Sequence, residues 1–246
     1  MTNPFGLNNK TVLITGASSG IGRATAIACS EMGATVIITG RNEERLAETF
    51  SLLQGEGHQQ LIADLNNEED IVRLVDNLPT LDGCVSNAGI GRKDPIGFIK
   101  KENLLSVLET NTIAPILLIR YLVKKKKLNK GGSVVFTESI SGVYSVDIGN
   151  SVYSVSKSAL DGFMKNAAIE LAPKGIRVNG ICPGMVETPI NSGYTEEQRN
   201  ADLANYPIKR YGKPEEIAYG IIYLLSDAAA WTTGVSLKID GGYCLK

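Results

Sequence analysis

Apolar and polar positions along this chain follow two alternating rhythms. Thr11 to Thr15 (TVLIT) is a short apolar run rich in β-branched residues, the pattern of a strand buried on both faces. A glycine cluster follows, then Ile21, Ala24, Ile27 and Ala28 at helical spacing, closed by Gly33. The alternation repeats with strand Ala34 to Thr39, helix Glu43 to Gln54, strand Gln60 to Ala63, helix Glu68 to Leu78 and strand Leu81 to Ser86. A helix near Lys101 to Lys126, the strand Ser133 to Thr137, a helix from about Ser151 to Leu171 and the strand Ile176 to Ile181 continue it. A polar segment, Met185 to Lys213, precedes a helix opened by Pro214-Glu215-Glu216, where proline suits the first helical position and acids suit the positive end. A last strand, Val235 to Ile239, runs into Asp240-Gly241-Gly242. Strands alternating with helices imply right-handed crossovers and a parallel sheet covered on both faces, so the expected class is α/β, a Rossmann-like doubly wound fold. No linker divides the halves, and residues 1–246 are expected to form a single dinucleotide-binding and catalytic domain.

Composition narrows the function classes. Hydrophobic residues at 43% and charged residues at 21% are those of a folded globular chain, and 26 glycines point to many tight turns. Lys+Arg 25 against Asp+Glu 26 leaves no basic excess for a nucleic-acid partner, which makes a compact ligand the expectation. Cys29, Cys84, Cys182 and Cys244 are scattered without a C-x-x-C, and His58 is the single histidine. No metal site and no disulfide framework are therefore expected, and free thiols fit a cytoplasmic protein. The start has no apolar signal region, and the longest apolar stretch, Ile113 to Val123, is broken by Pro115 and Arg120 and too short to span a bilayer, so no membrane partner is expected.

The glycine cluster carries the first chemistry. Thr15-Gly16-Ala17-Ser18-Ser19-Gly20-Ile21-Gly22 stands between a strand and a helix, where glycine permits a sharp turn and lets backbone N–H groups reach a pyrophosphate at the helix N-terminus. No Gly-Lys-Ser/Thr follows, which excludes a P-loop. In dinucleotide folds an acid at the end of the second strand holds the ribose 2′-hydroxyl, but here the strand ends Thr39-Gly40-Arg41. With a guanidinium and no carboxylate, a 2′-phosphate is favoured and NADP is the expected cofactor.

Tyr153 and Lys157, spaced i, i+4, share one face of a helix, and the ammonium can favour the phenolate. Tyr121 and Lys125 form a second such pair. Only Tyr153 follows a strand-end serine cluster, Glu138-Ser139-Ile140-Ser141-Gly142, so it is chosen and Tyr121 is read as a surface residue. Both Ser139 and Ser141 stand at a plausible distance before it.

Taken together these motifs resemble the short-chain dehydrogenase/reductase family over nearly the whole chain. The residues that carry the resemblance are Thr15 to Gly22, Asp64-Leu65, Asn87-Ala88-Gly89, Asn111, Ser139, the Tyr153/Lys157 pair, Ile176-Arg177-Val178-Asn179, Pro183-Gly184 with Thr188, and Asp240-Gly241-Gly242. It implies a seven-stranded parallel sheet, a homotetramer and a catalytic tetrad of Asn111, Ser139, Tyr153 and Lys157. By resemblance, Tyr153 protonates a carbonyl oxygen, Lys157 binds the nicotinamide ribose and, with the oxidised nicotinamide, stabilises the phenolate. Ser139, chosen because Ser139-x-x-Gly142 matches the family pattern, positions the substrate, and Asn111 holds a relay water. The cofactor contacts implied are Gly16, Ser18, Ser19, Gly20, Ile21, Gly22, Arg41, Asp64, Leu65, Asn87, Ala88, Gly89, Tyr153, Lys157, Pro183, Gly184, Val186 and Thr188. Ser86 stands where the family usually has asparagine.

The resemblance is strongest to β-ketoacyl-acyl-carrier-protein reductases, which implies an NADPH-dependent carbonyl reductase acting on a small or carrier-bound substrate. The alternatives are an NADP-dependent sugar, polyol or steroid alcohol dehydrogenase, and a dinucleotide-sensing protein without catalysis. Only the segment Met185 to Tyr211, with Tyr194, Tyr206 and Tyr211, could separate the substrates. For an acidic carrier, Lys174 and the run Lys124 to Lys127 are the nominated docking groups near the active-site mouth, although a solvated helix end also explains the run. His58 is read as a surface residue.

Overall fold

The computed structural model describes residues 3–189 and 195–245, which leaves Tyr194 outside the described residues. Its strands are β1 (Thr11–Thr15), β2 (Thr35–Gly40), β3 (Gln59–Ile62), β4 (Leu81–Ser86), β5 (Leu128–Thr137), β6 (Arg177–Pro183) and β7 (Ser236–Ile239). They form a single parallel sheet in the order β3-β2-β1-β4-β5-β6-β7. Successive residues of a strand point to opposite faces, and here both faces are apolar. Val12, Ile14, Val36, Ile38, Val85, Val135 and Ile181 enter one core, whereas Leu13, Ile37, Cys84, Val134, Phe136 and Val178 enter the other. That double burial is why the strands read as unbroken apolar runs.

The helices are α1 (Gly20–Glu31), α2 (Glu43–Phe50), α3 (Glu68–Asn77), α4 (Lys101–Leu108), α5 (Ala114–Lys124), α6 (Ile140–Val143), α7 (Ser151–Leu171), α8 (Glu196–Leu203) and α9 (Pro214–Leu225). The alanine face of α1 (Ala24, Ala28) packs with α9 and Leu46 of α2 on one side. On the other side α3, α5 and α7 supply Ile71, Leu74, Leu118, Leu122, Leu160 and Met164. The strand order reverses beside β1, whose neighbours are β2 and β4, so crossovers leave in opposite directions and open a crevice at the carboxyl ends.

Three local features depart from the sequence pattern. β5 starts at Leu128 rather than Ser133, because Leu81 already pairs Leu128 before a register shift brings Gly83 opposite Ser133. The helix expected from Lys101 is interrupted by a π turn over Glu109–Ile113, just before Pro115. Proline has no N–H to give the carbonyl four residues back, that of Asn111, so the regular ladder cannot run through this point. The whole run Lys101–Lys124 is long and apolar enough to cross a membrane, yet its apolar stripe, Leu118, Ile119 and Leu122, is buried against α3 and the sheet. His58, expected at the surface, is half-buried: its Nδ1 accepts the Val36 N–H at 3.0 Å and its Nε2 meets the Gln54 carbonyl at 2.8 Å, bonds that tie the preceding loop to β2.

Candidate active site

A cleft of about 790 Å³ lies over the carboxyl ends of the strands. One wall is the turn between β1 and α1. Gly16 has φ +64°, and a Cβ there would stand 2.8 Å from the Ala88 Cα. At Gly22 a Cβ would meet the Gly16 carbonyl oxygen at 2.3 Å. Only glycine lets the turn fold this tightly onto the β4 end. Ser19 leads into α1 with no side-chain cap, and the first turn holds no acid, so the N–H groups at the positive helix end remain open to an anion. Asn87 rivets the floor: its backbone N–H donates to Thr15 Oγ1 at 2.9 Å, its amide donates to the Thr15 carbonyl at 3.2 Å, and its Oδ1 accepts from Thr137 Oγ1 at 3.2 Å. The ends of β1, β4 and β5 are thereby tied together.

At the outer end, Arg41 is exposed and 3.9 Å from Asp64 Oδ2, a loose pairing that leaves its guanidinium on the cleft. Arg45, in the first turn of α2, lines the same cleft with Ser18 and Asn42. Sequence reasoning did not select Arg45, which lies in the first turn of α2 just beyond Arg41. Gly40 and the two guanidiniums form a concave, cationic corner suited to a phosphate.

At the inner end the catalytic candidates converge. Lys157 is buried, and its Nζ donates to the Thr137 carbonyl at 2.7 Å and lies 5.7 Å from the centre of the Tyr153 ring. The Ser139 hydroxyl stands by the Tyr153 phenol and favours its ionised form, whereas Ser141 Oγ accepts from the Asn150 amide at 2.9 Å. That difference separates the two serines. Burial pushes the phenol up to about 12, against the opposing pull of Ser139, and burial brings the Lys157 ammonium down to about 8. Lys157 by itself therefore does not bring the phenol near neutrality: Tyr153 stands as a protonated acid. The Lys157 Nζ is turned to a backbone carbonyl.

Asn111, on the π turn, sits behind this cluster rather than on the cleft surface. Its Oδ1 accepts the Ile90 N–H at 2.8 Å, and its Nδ2 donates to the Ile90 carbonyl at 2.9 Å and to Ser156 Oγ at 3.1 Å. Gly89 separates it from Lys157. Gly22 likewise shapes the turn from behind without lining the cleft. Ser18, Ser19, Gly20, Ile21, Leu65, Ala88, Gly89, Pro183, Gly184 and Val186 all border the cleft, and Val186 turns its side chain into the core. Thr188 reaches over to Gly20, closing the two walls on each other.

The second pair is engaged away from the cleft, as a surface reading of Tyr121 expects: Tyr121 donates to Glu68 Oε1 at 2.5 Å and Lys125 is paired with Asp76. The expectation that the lysines nominated for carrier docking stand near the active-site mouth is not met within one subunit. Leu81 at the start of β4 donates to the Lys127 carbonyl at 2.7 Å, and Lys174 ends the turn that leads into β6. Both positions mark the amino ends of parallel strands, opposite the cleft within one subunit.

A family model described as enoyl-(acyl carrier protein) reductase matches residues 16–244. The chain is 36% identical over 236 residues to the 3-oxoacyl-acyl-carrier-protein reductase FabG of Rickettsia felis, covering 96% of this chain and 97% of that protein. To the protein of the same name from Thermotoga maritima it is 35% identical over 242 residues, covering 96% and 98%. A solved short-chain dehydrogenase/reductase mutant of Serratia marcescens superposes with a TM-score of 0.90 at 30% identity, covering 98% of this chain and all of that one. The likeness extends across both the glycine turn and the Ser139, Tyr153 and Lys157 cluster, and the chain belongs to the short-chain dehydrogenase/reductase family of oxidoreductases.

Proposed function

We propose that this oxidoreductase is an NADPH-dependent carbonyl reductase acting on β-ketoacyl thioesters. The observation that carries the reading is the half-buried, protonated Tyr153 phenol, with the Ser139 hydroxyl and Lys157 beside it at the inner end of a dinucleotide-shaped cleft. A nicotinamide dinucleotide supplies hydride when bound. The glycine turn and the open start of α1 fit its pyrophosphate, and Arg41 with Arg45 fits a 2′-phosphate. Ser139 holds the substrate carbonyl oxygen, and Tyr153 gives that oxygen its proton. The Lys157 ammonium then returns a proton to the phenolate and is itself reprotonated from solvent.

The reductase names carried by the relatives favour the ketoacyl substrate. A second reading, a dehydrogenase of sugars or polyols, is favoured by the polar lining of the substrate end, where Asp147, Asn150, Gln198 and Asp202 face the cleft. Following nicotinamide absorbance with acetoacetyl thioester and NADPH, and with polyols and NADP, tests both. Turnover of the thioester with a preference for NADPH over NADH is expected, and polyol oxidation alone would transfer the assignment.

We further propose one catalytic unit per chain and a homotetramer. Exposed Leu105, Ile113 and Val155 on the α4 and α7 side, and Tyr219, Trp231 and Leu245 towards the β7 edge, supply two distinct apolar faces, as a tetramer built on two dimer contacts requires. Light scattering should give a mass four times that of the chain, and Val155→Glu should lower it.

A further inference from the structure

Glu138 ends an apolar strand yet is 1% exposed, and no step above uses it. The fold makes room for it deliberately: a Cβ at Gly180 on β6 would lie 2.2 Å from the carboxyl group, so glycine alone admits it. Every element packed around it presents a polar or titratable group. From β6 the Cys182 thiol donates to Oε2 at 3.2 Å, and from β7 the Ser236 hydroxyl approaches the same carboxyl. From α7 come the charges of Lys157 and Asp161, with Lys165 further out, and Tyr144 follows α6. Oε1 has no hydrogen-bond partner among these groups.

Hydrogen-bond accounting sets the protonation state. The single Ser236 proton goes to Asp161 Oδ1 at 2.7 Å, and Asp161 is itself paired with Lys165 at 2.7 Å. Ser236 can then meet Glu138 only as an acceptor, which suits a carboxylic acid and not a carboxylate. An ionised carboxylate with a bare, buried oxygen would also be costly. Burial likewise pushes the acid up to about 7, against the lowering effect of the Cys182 thiol and of Lys157.

We propose that Glu138 is a positioning residue of the reductase centre: neutral in the resting site, it ionises as the solution turns alkaline and so keeps the proton on Lys157. The effect on catalysis passes through Lys157, whose buried ammonium is held at about 8 with Glu138 already opposing the loss of its proton. This rests on the catalytic role given to Lys157 above, but its first test does not.

Glu138→Gln keeps the shape and removes the charge. Carbon-13 carboxyl titration of the glutamate-labelled protein should show one resonance with a midpoint near 7 that vanishes in Glu138→Gln. The melting temperatures of the two proteins should be close at about pH 5 and diverge by about pH 8 in favour of Glu138→Gln, because a raised carboxyl destabilises the fold once it must ionise. In NADPH-dependent turnover of acetoacetyl thioester, the alkaline limb of kcat should move down by about one pH unit in Glu138→Gln, the size of a lost opposite-charge effect, with KM for NADPH unchanged. Should Glu138→Gln fail to fold, Cys182→Ala serves instead, since losing the thiol donor should raise the midpoint of the same resonance. A glutamate spectrum with no titration between about pH 6 and 8 overturns the neutral acid, and an alkaline limb that stays in place overturns the link to Lys157. An inactive wild type that still shows the resonance would strike only the reductase assignment.

Discussion

The two halves of the cleft solve recognition by different means. Around β1 and α1 the site is made of backbone: glycines that admit no Cβ, an uncapped helix start and the Asn87 rivet. Around β5, β6 and α7 it is made of side chains, where Ser139, Tyr153 and Lys157 each hold one position by one or two bonds, with Glu138 behind them. A backbone site depends on glycine spacing within a few residues of chain. A side-chain site depends on elements far apart in sequence meeting in space.

That contrast can be broken first at Tyr153. Tyr153→Phe should lower kcat about 10²- to 10⁴-fold while cofactor fluorescence titrates as in wild type, because only the transferable proton is lost. Ser139→Ala should cost about 10²- to 10³-fold, the scale of a removed donor at a reacting oxygen, whereas Ser141→Ala should cost far less, its partner being Asn150. Equal losses at the two serines would mean that the phenol contact does not decide the role. Arg41→Ala should weaken NADPH binding roughly ten- to a hundredfold and leave NADH almost unchanged; equal weakening of both cofactors would deny the 2′-phosphate. In the backbone half, Gly22→Ala should lower folding stability by about 1–3 kcal/mol in denaturant titration, since the new Cβ must push against the Gly16 carbonyl. Lys125→Ala should leave turnover unaltered and cost no more than the ~0–1 kcal/mol of an exposed ion pair, which confirms Tyr121 and Lys125 as the idle pair.

The backbone half was the more legible in the sequence. Strands buried on both faces read as apolar runs, and the glycine spacing between Thr15 and Gly22 names its own geometry. Tyr153 and Lys157 were legible as a pair, but the choice between Ser139 and Ser141 needed the position of Asn150, which no spacing reveals. Glu138 carried a signal, an acid closing the buried run Val134 to Thr137, yet its meaning depends on Cys182 and Ser236 arriving from two later strands. The nominated lysines stand away from the mouth of their own subunit because a cation just before a parallel strand lies at its amino end, which the order of strands along the chain already implies.

The π turn at Glu109–Ile113 also has a consequence for chain length. A turn of this kind is an α-helix with one residue to spare, so a chain shortened by one position there could close to α pitch, with only the bond that Pro115 cannot make left open. Everything on the α4 side would then swing by about 100° around the axis relative to α5. Asn111 would leave Ile90 and Ser156, and the loop from Gly89 to Arg92 would lose its anchor. Single-residue deletions between 109 and 113 should therefore be far less well tolerated than substitutions at the same positions other than Asn111, an asymmetry that a deletion scan would read directly.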